Sequence, residues 1–314
     1  MLIDLSYVVA GLALLVFAGD LLVKGAVALS LRLGVPALVV SLTVVAFGTS
    51  APEMLVSIEA TLSGATDLVY GNIVGSNIAN IFVVLGLPAL IAPIAVCQKG
   101  VMRNFMIMVA ASLALIAVCA LGGFSFWIGV GFLALLGLVL YDTYLLAMSG
   151  KLAVELEDDE PGCLTTPKAA ACIVAGVIGL PIGAHFLIGG AQSMAAALGV
   201  SEAAIGLTLV AVGTSLPELA TTVMAALRRH SDVAIGNVVG SNIFNILGVF
   251  GVSALFGELP TPAGFLELDL WVMLAATLAL FPFILARKDI GKVMGLAFLA
   301  LYAVYCVFAL GPRM

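Results

Sequence analysis

The sequence predicts an all-α integral membrane protein with ten transmembrane helices, arranged as two five-helix inverted-topology repeats. Three observations carry this. Of the 314 residues, 63% are apolar and only 10% charged, against about 25% charged in soluble domains. Two stretches, Asn104 to Tyr141 and Ala169 to Ser201, contain no Asp, Glu, Lys or Arg, and each exceeds the ~20 residues that cross a bilayer. Finally, GTSAPE at 48–53 returns as GTSLPE at 213–218, and GNIVGSNIAN at 71–80 returns as GNVVGSNIFN at 236–245, both displaced by 165 residues.

Mean hydropathy is +1.26, and ten spans can be laid out: 4–28, 37–61, 68–91, 102–120, 125–146, 169–195, 203–227, 233–256, 268–286 and 292–311. Lipid offers no water to backbone groups, and no barrel-type alternation is present, so the spans are read as helices. The first begins Met1, Leu2, Ile3, Asp4 with no basic leader region, which reads as a retained span and not a cleaved signal. The divisions are 1–147 for the first repeat, 148–168 for a short acidic cytoplasmic linker and 169–314 for the second repeat.

The same 165-residue register superposes Gly25 on Gly190, Gly34 on Gly199, Asp67 on Asp232 and Gly86 on Gly251. Five spans per repeat is an odd number, so the second half must enter the membrane from the opposite side.

Net charge is −6, with acid concentrated at Glu155, Glu157, Asp158, Asp159 and Glu160, read as a solvated loop. Nothing in this pattern fits nucleic acid. Every Lys and Arg except Arg313 falls on the linker side or at span ends facing it, which by the positive-inside rule makes that side cytoplasmic and both termini extracytoplasmic. Asp20 and Lys24 have helical ion-pair spacing. The five cysteines, Cys97, Cys119, Cys163, Cys172 and Cys306, lack C-x-x-C spacing and read as small packing residues.

Glu53 and Glu218 fall near the centres of their spans. An intramembrane carboxylate costs roughly 2.5–3.5 kcal/mol on insertion scales, so it faces a cavity or a partner; the bland alternative is a protonated structural carboxylate. Pro52 and Pro217 precede them, each lacking an N–H and clashing one turn back, so each helix should break there. Broken helices at depth are tolerated where protein or a water-filled cavity satisfies the loose backbone.

Around the breaks stand the hydroxyls of Thr49, Ser50, Thr214 and Ser215, and the amides of Asn80 and Asn245 from the following spans. These are hard oxygen donors, suited to Na⁺ or Ca²⁺ rather than to zinc or copper; His185 and His230 lie outside the repeated blocks. Thr and Ser can instead bond to their own helix, and the asparagines can serve as interhelical glue. Gly71, Gly75, Gly236 and Gly240 read as small-xxx-small packing positions. Glu59 has Met224 as its repeat partner, so symmetry does not support it as a core ligand and it reads as a funnel or solvated-end residue.

At these duplicated blocks the sequence resembles the calcium/cation antiporter superfamily, in its prokaryotic sodium/calcium exchanger type. The likeness covers roughly 75 core residues twice, and the short linker resembles prokaryotic members. It implies secondary antiport, Na⁺ moving down its gradient against Ca²⁺ at one central cavity, and no enzyme activity. By motif, the implied ion ligands are the carbonyls of Ala46 and Ala211 with Thr49, Ser50, Ser76, Glu53 and Asn80, and Thr214, Ser215, Ser241, Glu218 and Asn245. One departure is that family members often place Asp where Asn245 stands. Two carboxylates balance one Ca²⁺ or two Na⁺, which leaves Ca²⁺/H⁺ or other cation/H⁺ antiport as the alternative and a passive cation channel behind it. The expected setting is a prokaryotic inner membrane, with the lipid bilayer, Na⁺, Ca²⁺ and H⁺ as partners, transported ions as the only ligands, no tightly bound cofactor, and a monomer as the working unit.

Overall fold

A computed structural model describes residues 2–98, 100–149, 164–197, 211–262 and 264–310. The acidic run, Cys163, Arg313 and the first part of the seventh predicted span lie outside them. Among the described residues, eight helices are long and apolar enough to cross a membrane, and a ninth span is a pair, Ala37–Thr49 and Ala51–Leu62, bent by 42°. The seventh predicted span is represented by Ala211–Thr214 and Leu216–Leu227, broken at the equivalent place.

In chain order the helices are α1 (Leu2–Leu33), α2 (Ala37–Thr49), α3 (Ala51–Leu62), α4 (Thr66–Ile91), α5 (Val101–Ala120), α6 (Phe126–Met148), α7 (Thr166–Ala197), α8 (Ala211–Thr214), α9 (Leu216–Leu227), α10 (Ser231–Phe256), α11 (Phe265–Ala286) and α12 (Lys292–Leu310). The first span runs five residues past its expected end. Gly34, at φ +66°, supplies the left-handed turn that stops it, with Val35 N–H donating to Ser30 O at 3.0 Å, and Pro36 follows.

α4 and α10 form the centre: 78% and 89% of their most apolar stretches are buried, against 17% for α6 and 11% for α12 at the periphery. The apolar interior falls into two clusters. The larger joins α4, α5, α10, α11 and their neighbours. The smaller holds Leu15, Ala18, Leu22 and Ala26 of α1 against Ile173, Leu180 and Ala184 of α7, so this helix pair packs as a layer of its own.

Two short backbone pairings display the inversion. Ile94, after α4, bridges Ile290, while β1 (Gly123–Phe124) pairs antiparallel with β2 (Leu259–Pro260), after α10. α5 separates the two pairings, so they sit at opposite ends of the molecule. Ile94 and Leu259 are equivalent positions of the 165-residue repeat, yet each lies at a different end.

Two glycines bring the site together. A Cβ on Gly240 would stand 2.7 Å from Ala46 Cβ and 2.8 Å from Leu42 O, and one on Gly236 2.8 Å from Ser41 Cβ; without side chains there, α10 presses directly onto α2. Of the cysteines, Cys119 is buried, but Cys97 is exposed, correcting its reading as a packing residue: it lies in the connection after α4 and not in a span.

Candidate cation site

Each broken helix is interrupted at its serine. Ser50 (φ −83°, ψ 2°) and Ser215 (φ −87°, ψ 4°) take nearly identical bridge-region conformations. Pro52 and Pro217 then occupy the start of the resumed helices α3 and α9, where a missing N–H is harmless. Glu53 and Glu218 thereby fall in the first turns of α3 and α9, where the helix dipole favours negative charge, while the carbonyl end of α2 points towards the same place and favours a cation.

Both glutamates are completely buried. The halves are stitched together around them. Ser50 Oγ donates to Glu218 Oε1 at 3.4 Å. Thr49 Oγ1 reaches Asn237 Oδ1 at 3.2 Å, Ser241 Oγ at 3.3 Å and the carbonyl of Ala46, one turn back, at 3.3 Å. That carbonyl also accepts from Ser50 N–H at 3.0 Å. Asn80 Nδ2 donates to Asn242 Oδ1 at 3.0 Å, so the interhelical reading of Asn80 holds for its nitrogen.

The remaining oxygens are buried without a hydrogen bond to the described residues: both of Glu53, Glu218 Oε2, Ser76 Oγ, Asn80 Oδ1, Thr214 Oγ1, Ser215 Oγ and Asn245 Oδ1. Buried acceptors left unpaired cost on the order of 1–3 kcal/mol each, and a cation bound among them repays that cost. Ala211 begins α8, placing its backbone one turn before Ser215 as Ala46 is before Ser50. The hydrogen bonds thus join Thr49 and Ser50 of one half to Ser241 and Glu218 of the other, and Asn80 of α4 to Asn242 of α10.

Sequence reasoning missed two residues. Asn72 Nδ2 donates to Glu53 O at 3.0 Å and Ser57 Oγ at 2.9 Å, and Asn237 Nδ2 repeats this with Glu218 O at 3.3 Å and Thr222 Oγ1 at 3.1 Å. The available signal was the second position of each GN pair, duplicated in register. Glu59 is exposed, as symmetry implied. Asn80 and the position before Asn245 each begin a wide π turn, Asn80–Val84 and Phe244–Val249, a feature frequent at functional sites. Among the described residues no three His, Cys, Asp or Glu side chains cluster; the site consists of two carboxylates and neutral oxygens.

Inverted repeats, two helices broken at matching serines, and carboxylates buried where the breaks meet define a membrane transporter for cations. The chain belongs to the sodium/calcium exchanger family: the family model described as sodium/calcium exchanger protein matches residues 4–145 and 168–311. It is a secondary-active antiporter. A putative antiporter CaxA of Alkalimonas amylolytica is 36% identical over 89% of this chain and 89% of its own length. The sodium/calcium exchanger MaX1 of Methanosarcina acetivorans is 31% identical over 95% of both. The solved structure of the sodium-calcium exchanger NCX_Mj, soaked with Na⁺ and Sr²⁺, superposes with a TM-score of 0.83 at 35% identity, covering 100% of this chain and 99% of that one.

Proposed function

We propose that this chain exchanges Na⁺ for Ca²⁺ by alternating access at the Glu53/Glu218 crossing. The single observation that carries the reading is the pairing of two fully buried glutamates with unbonded neutral oxygens from both repeats, a donor set of the kind Ca²⁺ takes six to eight at a time. The likeness to the sodium/calcium exchangers MaX1 and NCX_Mj, and to the antiporter CaxA, supports it.

In this reading Glu53 and Glu218 supply the charge. Thr49, Ser50, Ser76 and Asn80, with Thr214, Ser215, Ser241 and Asn245, supply neutral oxygens in changing combinations. The Ala46 carbonyl joins when the Thr49 hydroxyl turns to the Asn237 and Ser241 partners it already touches, and the Ala211 carbonyl is its counterpart. Residues 1–147 and 169–314 act as the two repeats and 148–168 as their link. The chain works as a monomer in a prokaryotic inner membrane with both termini outside, and exports Ca²⁺.

One observation favours a second reading. Asparagine stands at 80 and at 245, leaving two carboxylates, and two buried carboxylates can trade a divalent ion for two protons. Sealed vesicles separate the readings: Ca²⁺ uptake should follow an imposed outward Na⁺ gradient. Uptake indifferent to Na⁺ and driven by a pH gradient would replace Na⁺ with H⁺ as the coupling ion.

A further inference from the structure

Four buried amides at the meeting of α4 and α10 break the repeat symmetry in an ordered way. Asn77 and Asn242 are equivalent positions, as are Asn80 and Asn245, and all four are at most 1% exposed. Asn242 Nδ2 donates to the main-chain carbonyl of Asn77 at 3.3 Å. A carbonyl only accepts, so this bond fixes which way the Asn242 amide faces. Its Oδ1 is then turned to Asn80, which must answer with Nδ2, and does so at 3.0 Å. The chain of bonds leaves Asn80 Oδ1 unpaired and held in one orientation.

The other half lacks this arrangement. Asn77 donates to Ile73 O of its own helix, one turn back, at 2.9 Å, and neither amide atom of Asn245 has a partner among the described residues. The same bias runs through the site: Thr49 and Ser50 bond across to the second repeat, while the hydroxyls of their equivalents Thr214 and Ser215 are unpaired among the described residues.

We propose that Asn77 and Asn242 are positioning residues that take turns: in each facing state, one of them orients the other half's asparagine oxygen towards the transported cation. Inverted-repeat transporters change face by one repeat moving against the other about a shared centre, so the opposite state carries the mirror arrangement. There Asn77 swings from Ile73 O to the carbonyl of Asn242, and its Oδ1 receives Asn245 Nδ2. Asn242 turns back onto the carbonyl of Val238, one turn earlier in α10. The oriented ligand is then Asn245 instead of Asn80, and the change needs side-chain rotation alone at the two switching residues.

This inference rests on the exchange reading and adds a sidedness to it. The test is the half-saturating Ca²⁺ concentration for gradient-driven uptake, measured in right-side-out and in inverted vesicles carrying the full chain. Asn242→Ala should raise it by about five- to tenfold at one face, the worth of one orienting hydrogen bond, and leave the other face within about twofold. Asn77→Ala should do the reverse. Where an alanine variant does not reach the membrane, the corresponding serine, polar but too short to bridge, takes its place and should give the same pattern. Equal shifts at both faces, no shift at either, or both variants acting on the same face would overturn the proposal. Wild-type uptake driven by pH and not by Na⁺ would refute only the coupling ion, and the sided comparison, run on that gradient, would still decide the switch.

Discussion

The Asn72 amide donates to the main-chain carbonyl of Glu53 at 3.0 Å, tying the first turn of the resumed helix α3 to α4 directly behind the carboxylate. Asn237 does the same for Glu218 and also accepts from Thr49 of the other repeat. Asn72→Ala should therefore lower stability by about 1–3 kcal/mol by removing two buried hydrogen bonds, to Glu53 O and Ser57 Oγ, and Asn237→Ala should lower it further because it also removes the cross-repeat acceptor. Thermal unfolding of purified protein in detergent, with and without Ca²⁺, checks the order, and Ca²⁺ should protect both variants less than wild type.

Glu53 and Glu218 carry the site's only negative charges among the gathered residues, and both are fully buried. Glutamine preserves their shape and removes half of that charge. Removing one member of a buried charged set costs about 3–5 kcal/mol, so Glu53→Gln and Glu218→Gln should each slow divalent exchange by about a hundredfold or more. Glu59→Gln, on the exposed end of α3, should stay within about twofold. Initial rates of labelled Ca²⁺ uptake in vesicles, normalised to the amount of inserted protein, measure all three.

Asp20 of α1 is held by Lys24 at 2.8 Å and by Arg228 at the end of α9. The second pair joins the separate α1/α7 layer to the helix that carries Glu218. Its repeat equivalent is His185, exposed on α7, so the tether belongs to one end of the molecule. Arg228→Gln should cost at most about 1 kcal/mol of stability, since the partners are partly exposed and screened. It should change the maximal exchange rate by about two- to fivefold with half-saturation unaltered. A changed half-saturation at constant maximal rate would instead assign Arg228 to cation binding.

Much of this was legible because its signals are local. The breaks follow from Pro52 and Pro217, the central carboxylates from a charge that lipid does not tolerate, and the inversion from an odd number of spans per repeat. The asparagines at 72, 77, 237 and 242 stood in the same duplicated blocks, but an amide can donate, accept or do both, and only the neighbouring helix decides which. The first predicted span stopped five residues short of the end of α1, because a span estimate marks the part of a helix in lipid, whereas a long side chain at a helix end, such as that of Arg32, can reach the interface while its backbone stays helical. The π turns beside Asn80 and Asn245 have no compositional signature at all.

Asn245 offers the sharpest test of charge accounting. It is fully buried, with neither side-chain polar atom bonded to the described residues, and the proposed site has two carboxylates whose charge of −2 is balanced by one Ca²⁺ or by two monovalent ions. Exchange on those terms moves no net charge. Asn245→Asp adds a third carboxylate of nearly the same shape, so it should strengthen Ca²⁺ binding and give the monovalent-loaded site room for one further ion. Transport would then carry net charge, and an imposed membrane potential should change the rate of the variant while leaving that of wild type alone. Uptake rates in vesicles clamped with K⁺ and valinomycin measure this. A potential-sensitive wild type would mean that the neutral oxygens already hold an additional cation, and that the two glutamates do not set the stoichiometry by themselves.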